Sequence, residues 1–161
     1  MALFPTLKSL HFDSGYDSEE MLMLEELGNL TNLEELSVEN HPLYTNLLQD
    51  IGKLTSLRVL ALTDHYYDVN LSIQGPLHLK KLESLTISFI PLGNNFLDKI
   101  GICDMTSLQE LVITNSRLMG TLPDCFSNLI SVRHLDLSSN QLSFVLLWEW
   151  RSIAKIPPPS A

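Results

Sequence analysis

The stretch Leu129–Leu142 reads LISVRHLDLSSNQL, with apolar residues at Leu129, Val132, Leu135, Leu137 and Leu142 and an amide at Asn140. Leu135 and Leu137 stand two apart, which places both on one side of a short strand, while Asp136 between them points to the other side. Beyond the strand the chain must turn sharply and leaves backbone N–H and C=O groups beneath the surface without ladder partners. Asn140 offers two donors and an acceptor at that point. A single turn of this kind cannot bury its own leucines, whereas stacked copies can.

The rest of the chain repeats the pattern five times. Units begin near Phe4, Leu30, Leu54, Leu79, Met105 and Leu129, so successive steps are 26, 24, 25, 26 and 24 residues. The apolar strand pair recurs as Leu10/Phe12, Leu36/Val38, Leu60/Leu62, Leu85/Ile87, Leu111/Ile113 and Leu135/Leu137. A period in this range marks a one-dimensional stack of coils. The predicted fold is α/β: a right-handed solenoid of about six coils over residues 1–143, with a parallel concave sheet on one side and short helices, 3-10 turns and loops on the other. Residues 144–161 drop the spacing and end in PPPSA. That segment is expected to be a degenerate end, either poorly ordered or a terminal strand through Phe144, Leu146, Trp148 and Trp150.

Bulk composition narrows the functions. The chain has 161 residues, 45% of them hydrophobic, and no apolar run near the roughly 18 residues that a membrane span needs. The N-terminus, MALFPTLKSL, lacks the layout of a secretory signal. Nineteen acids against ten Lys plus Arg give a net charge of −9, which makes nucleic acid a poor partner and a basic peptide or protein face a better one.

Between the predicted strands the sequence suggests short convex elements. Ser18 can cap a helix that turns Met21, Leu24 and Leu27 inward. Thr45 can start a turn of helix that Gly52 ends, and Gly75–Pro76 argues for a loop. The asparagine position of the first five coils holds Gly15, His41, His65, Ile90 and Ser116. Only the last coil, at Asn140, is therefore expected to keep the full set of amide bonds, and the turn at Ile90 must satisfy its backbone otherwise.

From Gly120 to Ser143 the chain reads GTLPDCFSNLISVRHLDLSSNQLS. With its period of about 24 residues, the turn through Leu118, Gly120, Leu122 and Pro123, and the LDLSSNQLS run, it resembles the plant-specific class of leucine-rich repeat. The resemblance covers about residues 4–143 and points to an internal fragment of the ectodomain of a plant receptor-like protein. It implies perception of a peptide, protein or glycan at the plasma membrane or extracellular face, signalling through a partner or co-receptor kinase, no catalysis in the repeats and no cofactor. Cys103 and Cys125 fall where such chains often carry a cysteine pair around the GTLP turn.

Candidate binding residues lie on the predicted concave face. Its 24 positions include six acids, Asp13, Glu35, Glu39, Asp64, Glu110 and Asp136, and no Lys or Arg, against about three acids and one or two bases for average composition. That face is either a docking surface for a cationic partner or a solvated acidic strand face. His134 shares it, and Phe89 is its one large apolar side chain, a binding anchor unless it tucks toward the following loop. The Asp64–Asp68 run DHYYD sits on the rim beyond coil three. Asn29 and Asn70 fit the N-glycosylation pattern outside the strands. Cys103 and Cys125 have nearly matching phases on adjacent coils, which allows a disulfide in an oxidising compartment or two buried free thiols.

His11, His41, His65, His78 and His134 occupy scattered phases with no metal-ligand spacing, and no nucleophile elbow or phosphate loop occurs. The sequence thus favours a non-catalytic recognition module. An intracellular repeat module for sensing or adaptor work, and a secreted inhibitor of cell-wall-degrading enzymes, are the alternatives.

Overall fold

A computed structural model describes residues 4–14, 24–65 and 71–143. Six parallel strands form one sheet in the order β1-β2-β3-β4-β6-β8: β1 Ser9–Asp13, β2 Glu35–Glu39, β3 Val59–Thr63, β4 Ser84–Ser88, β6 Glu110–Thr114 and β8 His134–Asp136. Each coil contributes one of them. The register aligns the leucines one above another, Leu10↔Leu36↔Leu60↔Leu85↔Leu111↔Leu135, with Phe12↔Val38↔Leu62↔Ile87↔Ile113 as a second row.

Two backbone motifs recur at the repeat period. The first apolar residue of each coil accepts the N–H three residues on: Phe4 from Leu7, Leu30 from Leu33, Leu54 from Leu57, Leu79 from Leu82, Met105 from Leu108 and Leu129 from Val132, at 2.9 to 3.2 Å. Just before each strand one carbonyl accepts two consecutive N–H groups of the next coil. The Lys8 carbonyl takes Glu34 and Glu35, Glu34 takes Arg58 and Val59, Arg58 takes Glu83 and Ser84, Glu83 takes Gln109 and Glu110, and Gln109 takes Arg133 and His134. Buried backbone groups are thereby satisfied from coil to coil as well as within coils.

The core runs the length of the stack. Leu36, Leu60, Leu85 and Leu111 are buried, while Leu10 and Phe12 are only partly covered, because β1 is the edge strand of the sheet among the described residues. On the other side of the core lie 3-10 helices at Leu24–Asn29, Ile102–Asp104 and Asp124–Asn128 and the short helices α1 (Leu47–Ile51) and α2 (Phe96–Lys99). α1 follows Asn46, one residue later than the Thr45 start expected from sequence. Gly52 ends it in an ordinary right-handed conformation, φ −58°. Residues 71–79 form the expected loop. Ser18 and Met21 of the anticipated first helix lie outside the described residues, as do 144–161.

A second, smaller parallel sheet joins β5 (Gly93–Asn94), β7 (Leu118–Gly120) and β9 (Gln141–Leu142). Gly120 has φ +93°, and a Cβ there would lie 2.9 Å from Asn95 Oδ1, so the glycine of the GTLP turn answers both to the backbone conformation and to close packing.

Candidate functional site

The outward positions of the six-stranded sheet form a polar surface. Glu35 and His134 are exposed, and Glu39, Glu110 and Asp136 are half-buried. Hydroxyls from neighbouring positions orient several of these carboxylates. Ser9 donates to Glu35 at 3.1 Å, Ser37 to Glu39 at 3.3 Å and Ser84 to Glu110 at 3.1 Å, while Asp136 accepts the Ser138 N–H at 2.9 Å. Asn40 donates to Asp13 at 3.2 Å. Neighbouring donors thus fix the orientation of these carboxylates on the sheet.

The positions just before the strands form a rim of mixed charge, Lys8, Glu34, Arg58, Glu83, Gln109 and Arg133, in which Lys8 and Arg58 are matched by acids and Arg133 is exposed without an ion pair among the described residues. Lys8 pairs with Glu34 at 2.8 Å, and Arg58 reaches Glu83 at 2.9 Å and Glu34 at 4.0 Å. The hydrogen bond and charge of Lys8, aided by Arg58 and Lys81, hold Glu34 below the ordinary carboxylate pKa of 4.5. Because Lys8 and Arg58 are neutralised by Glu34 and Glu83, the sheet columns of the first four coils retain a net negative field, which Arg133 offsets only at the β8 end.

At the far end of the strands coil three departs from the pattern of the coils beside it. The residue after each strand adopts a left-handed conformation in coils two, four and five, namely Asn40 (φ 48°), Phe89 (φ 62°) and Asn115 (φ 52°), with Ser139 (φ 57°) alike in coil six. The next residue then turns inward: His41, Ile90 and Ser116 are buried. Coil three is inverted. Asp64 is not among the positive-φ residues and is itself buried at 1% exposure, while His65 is turned out to solvent.

Asp64 is thus a correction to the sequence reading. Its side chain belongs to the interior and is not available to a ligand, leaving Asp13, Glu35, Glu39, Glu110 and Asp136 as the acids of the face. Phe89 stays 42% exposed and lies against His65, with ring centroids 4.1 Å apart and planes tilted by 41°. The contact runs to the preceding coil's turn and not to the loop after its own strand, and the ring keeps a face open.

Asn140 makes the bonds that its position predicts. Its Oδ1 accepts the Ser116 and Leu118 N–H groups, both at 3.1 Å, and its Nδ2 donates to the carbonyls of Ile113, Leu137 and Ser138. The amide therefore serves mainly the preceding coil. One coil earlier Ser116 does part of the same work, taking the Ile90 N–H on its hydroxyl at 3.4 Å and giving that hydroxyl's proton to the Thr114 carbonyl.

Cys103 and Cys125 are joined as a disulfide, Cα atoms 5.6 Å apart, across the 3-10 helices of coils four and five on the convex side. Asn29 is exposed at the end of its 3-10 helix, and Asn70 lies outside the described residues. Among the described residues no group of three or more His, Cys, Asp or Glu side chains is arranged to hold a metal ion, and no helix is long and apolar enough to cross a membrane.

Comparisons with known proteins place this architecture. The leucine rich repeat family model matches residues 104–153. Cuscuta receptor 1 of Solanum lycopersicum is 36% identical over 67 residues, a match that covers 40% of this chain and 6% of that protein. Among solved structures, the LRR ectodomain of the plant membrane receptor kinase GASSHO1/SCHENGEN3 from Arabidopsis thaliana, in complex with Casparian strip integrity factor 2, superposes with a TM-score of 0.60. That pair is 23% identical, over 72% of this chain and 14% of that one. The LRR ectodomain of the Arabidopsis thaliana receptor kinase SOBIR1 gives a TM-score of 0.54 at 26% identity, over 73% of this chain and 63% of that one. The repeat spacing, the stacked parallel sheet and these likenesses together show a leucine-rich repeat fold that is similar to part of plant receptor ectodomains.

Proposed function

We propose that this chain is a non-catalytic recognition module of a plant cell-surface receptor-like protein, and that it docks a peptide or protein of positive charge on the concave sheet. The observation that carries the reading is the charge arrangement. Five acids line the face, no Lys or Arg stands on it, and the nearby rim cations Lys8 and Arg58 are paired with Glu34 and Glu83. A solvated face with no partner has no need to segregate charge in this way, because mixed signs keep a surface equally soluble. One structural neighbour is an ectodomain in complex with another molecule, Casparian strip integrity factor 2, and two are ectodomains of receptor kinases. These support a binding role and signalling through a partner kinase.

The Cys103–Cys125 bridge and the exposed Asn29 in its Asn-Leu-Thr sequon favour an oxidising, glycosylating compartment over the intracellular alternative. Titration of a lysine- and arginine-rich peptide against the chain, with an acidic peptide as control, tests the reading. Binding of the basic peptide alone is expected, weakening as salt rises and dropping at least about tenfold in the triple variant Glu35→Gln, Glu39→Gln, Glu110→Gln. Equal binding of both peptides, or no response to the triple variant, would overturn it.

A further inference from the structure

The inverted turn of coil three creates a feature that the acidic face alone does not explain. Phe89 occupies a left-handed backbone position that its counterparts fill with Asn40, Asn115 and Ser139, residues that tolerate φ > 0 far better than an aromatic side chain does. Its ring is not recompensed by burial, for it remains 42% exposed. What it gains is a contact with His65, and His65 is in reach only because Asp64 has taken the inward place. A bulky aromatic held in a disfavoured conformation with one face open is how backbone strain is retained where a surface is used.

The surroundings define what fits. Next to Phe89 along the strand ends run the hydroxyls of Ser88 and Thr114, which share a hydrogen bond at 3.0 Å, and Thr63 pairs with Ser88 in the sheet. Glu39 pairs with Thr63 and so lies two strands from Ser88, roughly 10 Å away at the usual strand spacing. A peptide crossing the strands in the polyproline II conformation, with three residues per turn and about 3.1 Å per residue, advances nearly that distance in three residues and brings the first and fourth side chains to the same side.

Building on the cationic-partner reading above, we propose that the exposed face of the Phe89–His65 pair is a subsite for one aromatic side chain of that partner. Glu39 takes a Lys or Arg three positions away in the same segment. The aromatic ring stacks on Phe89, and the hydroxyl row beside it hydrogen-bonds the intervening backbone.

The probes are blocked hexapeptides, Gly-Phe-Ser-Ser-Arg-Gly and its reverse order, each with a counterpart in which the phenylalanine is alanine. They are titrated against the full chain while the Phe89 and His65 ring resonances are followed by NMR. One of the two phenylalanine peptides is expected to bind about tenfold more tightly than its alanine counterpart and to shift both rings. In Phe89→Asn, which installs the residue that coils two and five carry at this position, the melting temperature is expected to hold or rise while the tenfold preference disappears. Glu39→Gln is expected to weaken the phenylalanine and alanine peptides alike.

A preference that survives in Phe89→Asn overturns the subsite, as does a Phe89→Asn variant that loses stability, since that would make the ring a structural support. Equal, charge-dependent binding of phenylalanine and alanine peptides overturns the subsite and leaves the cationic-partner reading standing. Binding of neither overturns both.

Discussion

Asn140 Oδ1 accepts the backbone N–H of Ser116 at 3.1 Å across 24 residues of sequence, so the last complete coil secures the turn of the one before it. With the second acceptance from Leu118 and the donations to Ile113, Leu137 and Ser138, a single side chain fills five places where the turns would otherwise leave polar groups unpaired. Asn140→Ala strands the Ser116 and Leu118 N–H groups, both of which belong to buried residues. The expected loss is about 2–4 kcal/mol in urea unfolding. Asn140→Asp keeps the acceptor but at neutral pH sets a carboxylate oxygen against the three carbonyls that Nδ2 serves, so its loss should be at least as large as that of the Ala variant; an Asp variant as stable as the parent chain would contradict this division of labour.

Truncation along the leucine row should grade with position. Leu85 has coils on both sides and is 2% exposed, whereas Leu10 lies on the edge strand of the sheet among the described residues and is partly covered. Leu85→Ala should destabilise by about 2–5 kcal/mol, and Leu10→Ala by less than about 2 kcal/mol. Hydrogen exchange should show the same gradient, with amides of β3 and β4 protected beyond those of β1 and β8.

The leucine row is also where the sequence was most readable. Spacing of two within the strand and about 25 between strands leaves one arrangement that buries Leu36, Leu60, Leu85, Leu111 and Leu135 together, and the observed register is that arrangement. The turns were harder to read. Asp64 and His65 are both polar, so nothing in the pattern says which one faces inward, and the choice is made by the backbone at Asp64, which avoids the left-handed conformation of its counterparts. The pairing of β5, β7 and β9 involves two or three residues each and carries no apolar period, leaving only Gly120 of the GTLP turn as a visible sign. The aromatic contact between His65 and Phe89 was hidden for the same reason as the turn inversion that causes it.

Reduction of the disulfide should be measurable in the folded chain. Cys103 is exposed, so a reductant can reach it, and the bridge closes a segment of 22 residues in sequence separation. Loop-closure entropy alone predicts a loss of about 3 kcal/mol on reduction or in the double variant Cys103→Ser, Cys125→Ser. Thermal unfolding with and without dithiothreitol gives the comparison. An unchanged midpoint would mean that the coils on either side already hold this segment in place without the bond.

Acid sensitivity should arise from two carboxylates that are held ionised by different means. Burial pushes the pKa of Asp50 up, but the hydrogen bonds from Lys53 at 2.6 Å and from the Tyr44 hydroxyl at 2.7 Å outweigh it and bring the group below its ordinary 3.8. Glu34 is lowered from 4.5 chiefly by its hydrogen bond with Lys8. A carboxyl whose folded pKa is depressed contributes stability that is present above its unfolded value and is lost as pH falls through the folded one. Both contributions should therefore be complete above about pH 5 and should fade below the ordinary values of 4.5 and 3.8. Carbon-detected NMR titration should show the Asp50 pKa rising in Tyr44→Phe with Glu34 unmoved, and the Glu34 pKa rising in Lys8→Met with Asp50 unmoved. A rise of both in either variant would mean that the two groups respond to a change in the fold and not to their own partners.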